Sequence, residues 1–183
     1  MGRSGGRPPL RFLDPQIDPV VIREVTVADL GAIHAINEDG APGVHPESPE
    51  ALAAITRESC IALVAEIAGV VAGFCQILPP GAAYRSLNYA WFSTRYKDFI
   101  YLDRVAVAAE HRGRGVGSRL YDEVERRTHA AWFTLEVNLH PRNDGSLRFH
   151  ARKGFVEVGQ QETDYGALVS LMAKPLAKTH GAR

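Results

Sequence analysis

Apolar residues fall along this chain in short runs, and the polar residues among them sort those runs into strands and helices. Val20 to Val25 alternates as a first strand, and Thr26 with Asp29 forms a capping box that opens a helix ending near Asn37. Glu38 to Pro49 reads as a loop, with Ser48 and Pro49 as N-cap and first residue of a short second helix to about Thr56. Cys60 to Leu78 (CIALVAEIAGVVAGFCQIL) is almost continuously apolar and of the length a membrane span requires. Glu66, the central Ala68-Gly69 pair and the Pro79-Pro80 stop instead predict a hairpin of two buried strands. After a loop from Pro79 to Lys97 come a strand over Phe99 to Ala108, a helix over Ser118 to His129, a strand over Trp132 to Val137 and a short helix over Asp144 to Lys153 closed by Gly154. Phe155 to Gln161 and Leu168 to Lys174 are the last strands. Residues 1–18 are rich in Gly, Pro and Arg without periodicity and predict a flexible arm, leaving one domain over 19–176 and a tail over 177–183. The pattern is that of a single α/β (α+β) domain, one mixed sheet with helices on both faces.

The junction between the strand at Phe99 and the helix at Ser118 carries the clearest chemistry. Arg112-Gly113-Arg114-Gly115-Val116-Gly117 places three glycines where positive φ and missing Cβ atoms let successive N–H groups converge on one bound group. A helix start adds unpaired donors and the positive end of its dipole, and Arg112 and Arg114 add mobile positive charge. Pyrophosphate is the ligand this arrangement favours. The run is neither a Rossmann fingerprint nor a P-loop, and taken alone it has a lesser alternative, in which Gly115 and Gly117 merely make a tight connection.

Further motifs extend the pattern: Arg112, Gly115 and Gly117 in Arg-x-x-Gly-x-Gly, then Asn143, then Phe149-His150-Ala151-Arg152-Lys153-Gly154-Phe155. This order over roughly residues 99 to 160 resembles the GCN5-related N-acetyltransferase (GNAT) superfamily. The resemblance implies a mostly antiparallel sheet of about six to seven strands with a splay between the fourth and fifth, and acetyl-CoA as co-substrate with no metal. It implies that the backbone of Val105, Ala106 and Val107 pairs with the pantetheine arm. Gly113 and Arg114 to Ser118 (Gly115, Val116 and Gly117 between) would hold the pyrophosphate with Arg112 assisting, and Asn143 would contact the arm.

Composition restricts the partners. The chain has 183 residues and balances 21 basic against 21 acidic side chains, so no global field calls for nucleic acid or an anionic membrane. Cys60 and Cys75 are too few for a disulfide framework and, with no signal peptide, read as buried reduced thiols of a cytoplasmic protein. Members of the superfamily often pair, so a homodimer is an open expectation.

For the proton taken from the amine, Leu135-Glu136-Val137 is similar to the strand of ribosomal-protein N-terminal acetyltransferases, which implies Glu136 as base if burial raises its pKa. The ordinary alternative is a carboxylate paired with a cation. Asp103 is the second candidate, assigned by simple alternation to the strand face of Val105. Tyr101 stands where the histone-modifying members carry their glutamate. His150 replaces the tyrosine that protonates the leaving thiolate in many members. With a reference pKa of about 6.5 against about 10 for tyrosine, it acts as an acid near neutrality only when charged; the alternative is a packing histidine.

The Pro79 to Lys97 loop holds Tyr84, Tyr89, Trp91, Phe92 and Tyr96, five of the chain's fifteen Phe, Trp and Tyr residues, and reads as a lid or binding wall with Tyr84, Tyr89 and Trp91 toward the acceptor. Its Arg85, Arg95 and Lys97 welcome a carboxylate, whereas Glu38, Asp39, Glu47 and Glu50 attract a cationic amine. Both together suit an amino acid, a peptide N-terminus or a similar zwitterion, and the ordinary alternative is solvated surface charge with a packed aromatic cluster, so the acceptor stays open as a primary amine of a small molecule, amino acid or peptide. A catalytically silent acyl-CoA-binding sensor and a longer acyl donor are the competing readings.

Overall fold

The computed structural model of the chain describes residues 18–40 and 44–177. The arm over 1–18, apart from Asp18, and the tail over 177–183, apart from Ala177, lie outside the described residues. Seven strands form one sheet: β1 (Val20–Glu24), β2 (Ile61–Ile67), β3 (Val70–Leu78), β4 (Phe99–Val107), β5 (Trp132–His140), β6 (Val156–Glu162) and β7 (Leu168–Pro175), in the order β1-β2-β3-β4-β5-β7-β6. Every neighbouring pair is antiparallel except β4 and β5, which are parallel and paired only over Phe99–Tyr101 with Trp132–Thr134. Beyond that point the two strands part, so the expected opening between fourth and fifth strands is present.

Among the described residues, five α-helices flank the sheet: α1 (Leu30–Asp39), α2 (Pro49–Glu58), α3 (Leu87–Arg95), α4 (Val116–Arg127) and α5 (Asp144–Arg152). The capping box of Thr26 and Asp29 opens a 3-10 turn that leads into α1, and the Ser48 side chain caps α2 by accepting from the Ala51 N–H. Ile33, Ile36 and Leu52 of α1 and α2 pack on Val64, Phe74 and Ala106, while Val116, Leu120, Tyr121 and Val124 of α4 pack on the opposite face against Leu63, Cys75, Ile77 and Leu135. Cys60 and Leu78 flank a strand pair, as the hairpin reading required, and no described helix is long and apolar enough to cross a membrane. Cys60, expected buried, is exposed at the start of that hairpin; Cys75 is buried.

The Pro79 to Lys97 segment is not the continuous loop the sequence predicts, because α3 occupies its second half. The Ser86 side chain accepts from the Tyr89 N–H at 3.3 Å, and Tyr89 and Phe92, one helical turn apart, enter a core with Leu78, Phe99, Tyr101 and Leu171. Tertiary burial outweighs the modest helix propensity of the aromatic residues there.

Gly73 on β3 lets α4 approach the sheet: a Cβ there would stand 2.9 Å from the Ala106 carbonyl oxygen and 3.1 Å from Val116 Cγ1. Gly73→Ala should therefore cost about 1–3 kcal/mol through overpacking. Urea denaturation checks this; an unchanged midpoint would mean that the sheet yields without strain.

Candidate active site

One extra residue in β4 arranges the site. Leu78 and Ile77 of β3 pair with Tyr101 and Leu102, but Gln76 pairs with Arg104, leaving Asp103 as a bulge. The bulge resets the alternation of side chains. Tyr101, Arg104 and Ala106 face the helices α1 to α3, whereas Ile100, Leu102, Val105 and Val107 belong to the core under α4 and α5. Asp103 contacts Tyr84 and Arg104 on the first face, so the expectation that Asp103 shares the face of Val105 is corrected; unbroken alternation fails at a bulge.

On the donor side, Gly113 and Gly115 take φ of +75° and +79°, the left-handed region that glycine enters without strain. The first bond of α4 runs from the Arg119 N–H to the Gly115 carbonyl, so the N–H groups of Val116, Gly117 and Ser118 precede it and remain for a ligand. Asn143 caps α5, its Oδ1 accepting from the Ser146 N–H at 3.0 Å. A cleft of about 990 Å³ runs from this turn along β4 to the strand opening, lined by Asp103, Val105, Ala106, Val107, Arg112, Gly113, Gly115, Val116, Gly117, Ser118, Glu136, Asn143 and His150. His111 and Arg152 line it too. Arg114 does not; its guanidinium lies 3.2 Å from the His111 ring.

Glu136 sits on β5 beside the opening. The Tyr101 hydroxyl donates to its Oε2 at 2.7 Å, and the nearby Asn88 amide, oriented by Gln161 at 2.9 Å, also favours the ionised form. Burial outweighs these bonds and lifts the Glu136 carboxyl to about 7. Burial also raises Asp103, opposed by the Arg104 guanidinium. Arg104 is 6% exposed and donates to Asn37 Oδ1 (3.1 Å), the His45 carbonyl (2.6 Å) and Glu47 Oε1 (2.9 Å), binding the segment between α1 and α2 to the sheet. The rings of His45 and Tyr165, 5.0 Å apart, join that segment to the β6–β7 turn.

Three side chains expected to meet the acceptor do other work or lie outside the cleft. Tyr89 is buried, its hydroxyl donating to the Pro79 carbonyl at 2.6 Å and accepting from the Ala82 N–H at 2.8 Å. Trp91 packs on Gly159 with the Arg95 guanidinium 4.0 Å above its ring. Tyr84 does not line the cleft but touches Asp103. Tyr89 and Trp91 are wall supports because α3 turns them toward the sheet, and Tyr84 lies in the segment that precedes α3. Sequence reasoning missed Asn88, Arg104 and Ser146, and treated Tyr101 only as a departure. The spacing of Tyr101 and Asp103 on one strand was the available signal.

His150 is 3% exposed and both ring nitrogens are engaged. Nδ1 lies 2.8 Å from the Ser146 carbonyl, which only accepts, so Nδ1 carries the proton and Nε2 accepts from the Tyr121 hydroxyl at 2.5 Å. The Ser146 hydroxyl is 3.1 Å from the same Nδ1. Burial drives the imidazole down to about 4, so the charged acid that the sequence reading weighed is absent near neutrality, and the alternative of a packing histidine fits the geometry.

The sequence profile of the Acetyltransferase (GNAT) family matches residues 30–155. Among solved structures, Ard1 of Thermoplasma volcanium is 21% identical with a TM-score of 0.71, covering 86% of this chain and 98% of its own. The ribosomal-protein alanine N-acetyltransferase of Escherichia coli is 20% identical with a TM-score of 0.67, covering 90% and 99%. The putative acetyltransferase yncA of Salmonella typhimurium, solved with its cofactor acetyl-CoA, is 21% identical with a TM-score of 0.64, covering 90% and 98%. At these identities the likeness is one of fold. No curated protein matches the chain significantly.

The depressed His150 pKa links stability to pH. The unfolded imidazole, with a pKa of about 6.5, binds a proton that the folded one refuses until about 4. Its contribution is present above pH 6.5 and lost as pH falls toward 4, about 3 kcal/mol in all. Between about pH 7.5 and about pH 4.5 the wild-type chain should lose roughly 2–3 kcal/mol more than His150→Phe in urea denaturation. Equal losses would show that the imidazole is not held neutral.

Proposed function

This chain belongs to the GNAT acetyltransferase family, and on that footing we propose that it transfers an acetyl group from acetyl-CoA to a primary amine by direct attack, with Glu136 as general base. The observation that carries the reading is a carboxyl lifted to about 7, half-buried at the mouth of the β4–β5 opening. A base with that pKa is ionised in useful amount near neutrality and still strong enough to accept a proton from an ammonium through a water. Asp103 is less suited, because its carboxylate is engaged by Arg104 and Tyr84.

The donor half of the cleft is made for a nucleotide thioester. The N–H groups of Val116, Gly117 and Ser118, with Arg112 nearby, receive the diphosphate, and the free edge of β4 at Val105 and Val107 receives the amide groups of the pantetheine arm. Asn143 keeps its amide nitrogen for the same arm while its oxygen caps α5. Held at both ends, the thioester lies in the opening beside Glu136, and orientation supplies much of the rate. The departing thiolate, a stronger base than a carboxylate, can take the proton that the attacking nitrogen sheds. No acid from His150 is needed, and its role is to hold α5 against Tyr121.

Two neighbours support the reading: the Escherichia coli protein acts by its description on an alanine of a ribosomal protein, and yncA carries acetyl-CoA. The second reading, a silent acyl-CoA sensor, shares the donor half but leaves the buried Glu136–Tyr101–Asn88 group without a purpose.

Thiol release from acetyl-CoA across an amine panel tests the proposal. Glu136→Gln should lower kcat about 100-fold or more while calorimetry finds acetyl-CoA affinity within about twofold of wild type. Wild-type kcat/KM should rise with pH through an inflection near 7, where Glu136 loses its proton, and the variant should lack that inflection. Tight donor binding with no turnover of any amine would favour the sensor.

A further inference from the structure

We infer that the acceptor is an amine joined to an uncharged amide, as at the N-terminus of a peptide chain, and not a free α-amino acid. The inference rests on the transferase reading and narrows the chemistry of the same site.

The charge balance of the acceptor face excludes a second carboxylate. Asp103 and Glu136 line the cleft there, and Glu47 stands behind them against Arg104. Of the arginines lining the cleft, Arg112 belongs to the glycine turn, while Arg142 and Arg152 flank α5 on the donor face. Arg85, Arg95 and Lys97, which the sequence offered as partners for a substrate carboxylate, do not line it among the described residues. Arg104 remains, and its guanidinium is already occupied by Asn37, the His45 carbonyl and Glu47, with Asp103 Oδ2 at 3.2 Å from Nε. An amino-acid carboxylate entering with its amine would therefore meet two acidic side chains and no free cation.

A further feature, in the main chain, asks for N–H and C=O groups on the acceptor. β5 is paired with β7 along one edge, but its other edge is free of β4 from Leu135 onward, since the β4–β5 pairing ends at Thr134. The donor arm uses the edge of β4; the facing edge of β5 is open to a short extended segment that carries amides.

Two like charges about 6 Å apart at an effective dielectric of about 20 change an equilibrium roughly 100-fold. The experiment measures kcat/KM by thiol release for each common amino acid and for its primary amide, with a randomised tripeptide amide pool and spermidine alongside. The amide should exceed the acid by about 30-fold or more in each productive pair, and tripeptide amides should be turned over at least as well as single-residue amides. Rising ionic strength should narrow the acid-to-amide gap, and Asp103→Asn, if it folds, should narrow it several-fold. Acid and amide turned over equally, or spermidine preferred to every peptide amide, would overturn the inference and leave the transferase reading intact. Release with none of these amines, despite donor binding, would remove that reading and the inference with it.

Discussion

Hydrogen bonding between β4 and β5 stops after three register pairs, and the rest of the site depends on that stop. A parallel pair that continued would bury both facing edges and leave no main-chain groups for a ligand. Asp103 supplies the local cause on one strand: an extra residue in β4 bends it and increases its twist. The same residue decides what each face receives. Before the bulge, Tyr101 faces α3; after it, Arg104 and Ala106 keep to that face, while Val105 and Val107 join the core under α4. One insertion thus bends β4 where the sheet opens and gathers the polar side chains on the opposite face from the apolar floor.

That gathering is costly. Burying an ionised carboxylate costs several kcal/mol unless partners compensate, and here compensation is unequal. Arg104 donates through its terminal nitrogens to Asn37, His45 and Glu47 and so fastens the α1–α2 segment, whereas Glu136 has the neutral Tyr101 hydroxyl as its donor. The first arrangement ties a loop to the sheet. The second leaves a carboxyl whose proton is easily exchanged near neutrality, which is the property that catalysis by a base requires.

The legible parts of this chain were those set by local sequence. Thr26 with Asp29, Ser48 with Pro49, and Gly113 with Gly115 each act within one turn of themselves, and each sits where its pattern placed it. The strands were legible from β-branched runs, with ends misjudged by a few residues, as where β5 continues past Val137 to His140. What failed was set by contacts distant in sequence. The helix at Leu87 is stabilised by a core that includes Leu171, and the facing of Asp103 is set by pairing with β3. His150 is neutral because Tyr121, twenty-nine residues earlier, and the carbonyl of Ser146 both claim its ring. No pattern in the segment around any of these residues records its partner.

The same division explains how far likeness to other proteins carries. The turn end of the cleft is lined mostly by main-chain groups: the N–H groups that open α4 and the edge of β4. Such groups survive replacement of nearly every side chain, provided that glycine remains at 113 and 115, where φ is positive. The acceptor half is built from side chains, and its character depends on pairs such as Arg104 with Glu47 and Glu136 with Tyr101. Replacing one member of such a pair reverses the local charge or strands a buried group without disturbing the sheet. Acceptor choice is therefore free to vary under a constant fold, and it is read from the side chains of this chain rather than from its neighbours.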